Sequence, residues 1–306
     1  MKKCIIIYNP LSGHLKKQEV LDNLYNTLEK NGYETKLIKT ERKKHACEIV
    51  ETLDHYDLVI CAGGDGTLNE TITGNDKRTN KLLLAHLPFG TCNDVGTMYG
   101  FTKNYLKDVD ALLNGVEKTI DVCKINDHPF IYVACFGDFI DVSYETPREM
   151  KATYGRLAYI FYGIGKITRN LSTYKLKYKI DDKEVSGEYS FIFVTNSSRV
   201  AGVNDIYKDV KLDDKKFEVV FCKAKTKVEL LSIGTQMIAT EIKNIKAFEY
   251  YKTDNLIIEF EEVPPKSWGI DGEEYPNNNK IFTFSLNHNM KMLMPQKRIK
   301  KLFENN

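Results

Sequence analysis

The stretch DLVICAGGDGTLNE, residues 57–70, passes from an apolar, strand-like run straight into three glycines set around one aspartate, and closes on an asparagine and a glutamate. Gly63, Gly64 and Gly66 allow positive φ angles and let backbone N–H groups come close to a ligand. Thr67 is placed to cap a helix whose amino terminus would favour an anion. A phosphate suits such a turn. Asp65 would repel it unless a divalent cation lay between them, which points to magnesium-bound nucleotide rather than bare phosphate. Strand-to-helix turns also recruit glycine for structural reasons alone, so the turn has to be weighed with its surroundings.

Outward from residue 57 the first 120 residues alternate short apolar runs with amphipathic stretches: CIIIY (4–8), then 15–31, TKLIKT (35–40), then 44–54, DLVICA (57–62), then 67–74, and LLLAHLP (82–88). That rhythm predicts βαβ units and a mostly parallel sheet. In an open α/β sheet ligands bind at the carboxyl ends of the strands, and three polar loops fall there. NPLSG (9–13) offers Asn9 and Ser12, GGDGT (63–67) follows the third run, and FGTCND (89–94) offers Thr91, Asn93 and Asp94.

Beyond 120 the pattern changes to alternating, β-branched and aromatic strands: FIYVACF, YKLKYKI, GEYSFIFVT, KFEVVFC, NLIIEFEEV and KIFTFSL. Asp, Asn and Lys turns link them, which predicts an antiparallel β-sandwich. One helical insertion, 153–171, interrupts it, and the basic KRIKKLF near the end is expected to pack back on the first lobe. The expected domains are therefore 1–120, with a tail of 295–306 returning to it, and 121–294.

The totals exclude several classes. Forty-four basic against 42 acidic side chains leave no excess of the kind nucleic-acid binders carry. Seven cysteines, an odd number with no CxxC pair, read as reduced thiols of a cytoplasmic protein, and the six histidines have no ligand spacing. The amino-terminal apolar run is too short for a signal peptide, and no segment approaches the roughly 18 apolar residues of a membrane-spanning helix. A soluble or peripheral protein is expected.

GGDGTLNE, with NPxSG before it and GTxND after it, closely resembles the catalytic domain of the diacylglycerol kinase family, specifically the soluble bacterial lipid kinases that also resemble sphingosine kinases. The likeness continues through residues 141–167, FVTNSSRVAG (193–202), KLDDKKFEVV (211–220) and WGIDGEEY (268–275). It implies an amino-terminal open, Rossmann-like α/β domain that binds ATP, followed by a lipid-substrate domain, with the active site in the cleft between them. By resemblance Asn9, Pro10, Leu11, Ser12, Gly13, Thr40, Gly63, Gly64, Asp65, Gly66, Thr67, Leu68, Asn69, Glu70 and Thr91 would contact nucleotide. Asp65, Asp94 and Asp121 would organise the active-site magnesium and its water, with Asp65 also catalytic.

The resemblance also assigns Glu273 as catalytic base. A primary alcohol is barely ionised at neutral pH, so attack on a γ-phosphoryl group needs a positioned proton acceptor. Without the resemblance, DGEEY reads as an ordinary hairpin turn. A second, structural magnesium would fall on the Asp214 carboxylate and the main-chain carbonyls of Lys211 and Lys216. There the chain departs from the pattern, with Lys215 where relatives commonly have glycine.

The insertion around 148–169 mixes Tyr154, Leu157, Tyr159, Ile160 and Phe161 with Arg148, Lys151, Arg156, Lys166 and Arg169. Such a helix could rest against anionic lipid at the inner face of the cell membrane, or pack on the core with a charged outer face. The readings at this point are a magnesium- and ATP-dependent lipid kinase, a kinase of a soluble substrate (NAD kinases and 6-phosphofructokinases are similar in the GGDGT turn), or a nucleotide-binding regulator without catalysis. The oligomeric state stays open between monomer and homodimer.

Overall fold

A computed structural model describes the chain except residues 13–16, 91–92, 103, 139–170, 201–202, 205–206, 277 and 305–306. Its contacts divide it into two compact units, one of residues 1–122, 211–214 and 287–306, the other of residues 123–210 and 215–286. The insertion at 148–169 lies outside the described residues.

In the first unit the order is β1 (Lys2–Tyr8), α1 (Lys17–Lys30), β2 (Tyr33–Lys39), α2 (His45–Thr52), β3 (Leu58–Gly63) and α3 (Asp65–Asp76). It continues through β4 (Leu84–Pro88), α4 (Asp94–Tyr99) and α5 (Tyr105–Leu113) into β5 (Val116–Ile125). The second unit follows with β6 (His128–Phe130), β7 (Val133–Gly137), β8 (Tyr174–Ile180), β9 (Lys183–Tyr189), β10 (Phe191–Thr195), β11 (Arg199–Val200) and β12 (Val203–Asn204). After these come β13 (Phe217–Cys222), α6 (Lys227–Ala239), β14 (Phe248–Thr253), β15 (Leu256–Phe260), β16 (Trp268–Ile270) and β17 (Glu273–Tyr275). β18 (Ile281–Met294) and α7 (Ile299–Leu302) end the chain.

The first unit is an α/β fold with parallel strands in the order β2-β1-β3-β4, and the end of β18 pairs parallel to β4 through Met292 and Leu293. Cys4 to Ile7 and Leu58 to Ala62 are buried without a break, as strands covered on both faces must be. That is why CIIIY and LVICA read as continuous apolar runs. Edge strand β2 keeps only partial burial. The parallel order delivers the loops after β1, β3 and β4 to one end of the sheet.

The second unit is antiparallel. Strands β14-β13-β10-β7-β16-β17 form one sheet, while β8 pairs with β9 and β15, and the start of β18 pairs with β15. Along β8, Leu176, Tyr178 and Ile180 point inward and Lys175, Lys177 and Lys179 outward, the alternation of a half-buried strand. One core joins the two faces, with Trp268 and Phe136 from the first sheet against Phe282 and Phe284 from the second. Tyr178 stacks on Phe221 at 4.0 Å and 11°. Each such side chain contributes about 1.5–3 kcal/mol on burial.

The unit boundaries differ from those expected. β5 runs through residue 120 without interruption, and the first unit takes in 211–214 and all of 287–306 rather than only the tail from 295. The cause is the length of β18, whose 14 residues change partners midway: Leu256↔Phe284 is antiparallel with β15, Leu293↔Ala85 parallel with β4. Sequence alternation also gave no sign of β14 or of α6, which starts with a full capping box between Thr226 and Glu229. Among the described residues Cys4, Cys61 and Cys222 are free, with thiols pushed up to about 12 by burial. No helix among the described residues is long and apolar enough to cross a membrane.

Candidate active site

The turn between β3 and α3 departs in detail from the expected geometry. None of Gly63, Gly64 and Gly66 has a positive φ; Gly64 sits extended at φ −85° and ψ −177° as the residue before the helix. Glycine is required there by proximity instead. A Cβ on Gly63 would lie 2.6 Å from Thr67 Cβ, and one on Gly64 3.2 Å from the Gly90 Cα. At Gly66, among the described residues, nothing beyond its own helix and neighbours lies within 4 Å of an added Cβ.

Helix α3 begins at Asp65, so Thr67 falls inside the first turn and is not the cap; its Oγ1 accepts a hydrogen bond from Asn9 Nδ2 at 3.2 Å. This bond ties the loop after β1 to the helix. Asn9 is itself fixed, its N–H donating to the Ala62 carbonyl and its Oδ1 accepting from the Leu11 N–H. The first-turn N–H groups of α3 have no carbonyl behind them within the helix, and the helix dipole adds partial positive charge at that end. Such a helix end favours negative charge over positive.

Asp65 reaches across to the loop after β4. Its Oδ2 accepts the Asp94 N–H at 2.8 Å and its Oδ1 the Val95 N–H at 3.2 Å, so its carboxylate holds the amino terminus of α4. Asp94 is buried. Before it, Asn93 takes a left-handed conformation (φ 49°) and donates from Nδ2 to the Gly90 carbonyl at 2.7 Å. The GGDGT and GTCND segments are thus bound to each other directly.

Other expected contacts divide. Thr40 is buried, with its N–H donating to the Tyr8 carbonyl, and Ser12 donates its N–H to Asn9 O; both stand in loops beside the turn. Pro10 and Leu11 are exposed, and Gly13 and Thr91 lie outside the described residues. The Leu68 side chain is fully buried in the core, and its N–H donates to Gly64 O. Glu70 serves α2, accepting the N–H groups of Lys44 and Ala46. Asn69 Oδ1 accepts from Thr73 Oγ1 at 3.4 Å.

Two histidines escaped the sequence reading. His86, fully buried in β4, places Nε2 3.1 Å from the Gly63 carbonyl, and burial pushes its pKa down to about 4. The neutral ring therefore donates to the turn from below. A lone polar residue inside LLLAHLP was the available signal. His288 places Nδ1 2.6 Å from Asp121 Oδ1, while the Asp121 N–H donates to Leu212 O. These contacts fix Asp121 within the first unit.

At the expected second magnesium position, Lys211 Nζ donates to the carbonyls of Lys301 and Phe303, and Asp213 Oδ1 accepts the Glu304 N–H. Lys215 adopts φ 58°, the left-handed conformation that glycine takes most easily. Among the described residues no three His, Cys, Asp or Glu side chains gather as metal ligands. A magnesium ion beside Asp65 or Asp214 would need carbonyl, phosphate or water oxygens as well, which suit that hard cation.

In the second unit WGIDGEEY forms a two-residue hairpin. Asp271 (φ 48°) and Gly272 (φ 87°) are both left-handed, as the Asp-Gly pair dictates, and Ile270 pairs with Glu273 across it. Glu273 is exposed. Asp271, by contrast, is buried, and its carboxylate accepts three backbone N–H groups, from Ile131 at 2.7 Å, Tyr132 at 3.0 Å and Val133 at 3.1 Å.

Residues 3–125 match the family model described as the diacylglycerol kinase catalytic domain. Diacylglycerol kinases of Staphylococcus aureus strains JH9 and Newman are 35% identical to the chain over 237 residues, 76% of this chain and 75% of each relative. The crystal structure of a diacylglycerol kinase from Bacillus anthracis str. Sterne superposes with a TM-score of 0.78 at 22% identity, covering 97% of this chain and 99% of that one. That likeness bears on the fold.

Proposed function

The chain belongs to the diacylglycerol kinase family, and we propose that it transfers the γ-phosphoryl group of ATP to the free hydroxyl of diacylglycerol, or a closely related lipid, giving phosphatidic acid and ADP. The observation that carries the reading within the chain is the β3–α3 turn. An uncapped helix start, open space over Gly66, and two neighbouring loops hydrogen-bonded to it support a bound triphosphate.

Asn9 to Gly13, Thr40, the turn from Gly63 to Glu70 and Thr91 are the proposed nucleotide contacts, with Leu68 and Glu70 acting through the frame that they hold. Phosphate oxygens would accept from the first-turn N–H groups of α3, in the manner of helix termini generally. Asp65, Asp94 and Asp121 offer carboxylate oxygens suited to Mg2+ and its water. When bound, that ion would neutralise charge on the β- and γ-phosphates. A structural Mg2+ at Asp214, with the carbonyls of Lys211 and Lys216, is supported by the glycine-like backbone at Lys215.

Glu273 is the proposed general base. Its carboxylate would take the proton of the lipid hydroxyl as that oxygen bonds to the γ-phosphorus and the bond to the β,γ-bridging oxygen breaks, releasing ADP. An exposed carboxylate on a two-residue hairpin is compatible with meeting a substrate that comes from a membrane surface. The protein would then work as a peripheral enzyme on the cytoplasmic side.

The test uses purified protein, γ-labelled ATP, Mg2+ and vesicles carrying a panel of alcohol-bearing lipids, with the organic phase examined for label. Labelled phosphatidic acid is expected, with Glu273→Gln slower by about 10²–10⁴-fold while still binding ATP. Absence of label from every lipid, or phosphorylation of NAD in plain buffer, would overturn the proposal.

A further inference from the structure

We infer that Asp271 is the positioning residue for Glu273, a role that rests on the reading of Glu273 as base. A buried carboxylate in a turn of two left-handed residues is unusual company for an exposed, reactive side chain. Here it collects three N–H groups from consecutive residues, Ile131, Tyr132 and Val133, while the Asp271 N–H donates back to the Val133 carbonyl at 2.9 Å. Four hydrogen bonds lock one residue of the hairpin tip to one strand entrance.

The consequence follows along the chain. Gly272 alone separates Asp271 from Glu273, and its φ of 87° allows little choice of backbone path. On the other side Glu273 pairs with Ile270, whose strand pairs with β7 through Ile270↔Ala134 and Gly269↔Cys135. The Cα of Glu273 is therefore determined from both directions by segment 131–135. An Asp-Gly hairpin needs only a small polar residue at its first position; it does not need a buried anion with three donors. A proton acceptor does need placement, because a displacement of about 1 Å can cost about 10²-fold in rate.

An amide at 271 turns one acceptor into a donor facing the Ile131 N–H, without changing size. Asp271→Asn is expected to lower kcat about 10- to 100-fold with the KM for ATP unchanged. Trp268, the chain's single tryptophan, is fully buried three residues upstream in the same hairpin, so its emission reports whether the strand still packs. Gly272→Ala strains the same tip through its φ of 87° with the four hydrogen bonds in place, since among the described residues an added Cβ meets nothing nearer than the Tyr132 hydroxyl at 3.9 Å. It answers the question if Asp271→Asn does not accumulate as folded protein.

The deciding measurement is the double variant with Glu273→Gln. If Asp271 acts through Glu273, then Asp271→Asn or Gly272→Ala adds no further loss to a Glu273→Gln enzyme whose Trp268 emission is unshifted. Losses that multiply, wild-type turnover in both tip variants, or a red-shifted Trp268 accompanying every loss would overturn the positioning role alone. Wild-type turnover in Glu273→Gln by itself would overturn the base assignment, and the positioning role with it.

Discussion

A Cβ on Gly90 would lie 2.6 Å from the Cα of Gly64, so the loops that follow β3 and β4 meet backbone against backbone. Around that contact the Phe89 N–H donates to the Gly63 carbonyl at 2.8 Å, and Asn93 Nδ2 closes the far side onto Gly90 O. Any side chain at 90 has to separate the two loops. Gly90→Ala is expected to destabilise the protein by about 1–3 kcal/mol, as overpacking does, and to weaken ATP binding because Asp65 and Asn93 move with the loops. Urea unfolding and an ATP titration check the two effects, and unchanged values in both would refute the close approach.

Gly66 gives the opposite expectation. Its site has room for a methyl group, and it lies in the first turn of α3, where alanine is favoured over glycine by up to about 1 kcal/mol. Gly66→Ala is expected to be as stable as wild type or slightly more so, yet to raise the KM for ATP if phosphate approaches the backbone there. A variant with both higher stability and unchanged KM would show that the glycine serves neither the fold nor the nucleotide.

Much of this was legible in the residues, unevenly and for physical reasons. Continuous burial wrote β1 and β3 as apolar runs, and the period-two alternation of YKLKYKI showed β8 directly. β14 has intermediate burial at most of its positions, so it carries no such pattern. β18 was half visible because KIFTFSL alternates, but its later residues NHNMKMLM mix polar and sulfur side chains while serving a different sheet neighbour. The candidate site showed through its glycines and carboxylates, yet the close approach of Gly64 to Gly90 was not legible, because it depends on a loop distant in sequence, whereas φ is a local property. Asp271 was passed over for the same reason, since its three donors lie about 140 residues earlier in the chain.

Lys215 holds a left-handed conformation at φ 58° without the freedom of glycine. That costs an L-residue roughly 1–2 kcal/mol, while glycine gives back about 0.5–1 kcal/mol in the entropy of the unfolded chain. Lys215→Gly is therefore expected to raise stability by about 0.5–1 kcal/mol, measured as a higher urea midpoint at unchanged slope. A lower midpoint would show that the lysine side chain contributes more than its backbone costs.

His86 gives the protein a defined acid sensitivity. Burial lowers its pKa from 6.5 to about 4, with the Gly63 carbonyl, which would favour the charged ring, too weak to offset desolvation. Between these values the unfolded chain binds a proton at this position that the native state does not, so stability rises with pH across the window. Its contribution is complete above pH 6.5 and is lost as pH falls toward 4, by roughly 3 kcal/mol for a shift of this size. Carboxylates titrate in the same range, so the quantity to measure is the difference between wild type and His86→Gln. Denaturation at half-unit steps from pH 7.5 to 4 should show the variant losing less stability on acidification than wild type. Parallel curves would mean that the ring takes up its proton over the same pH range in the folded and unfolded chains, and that burial does not hold it neutral.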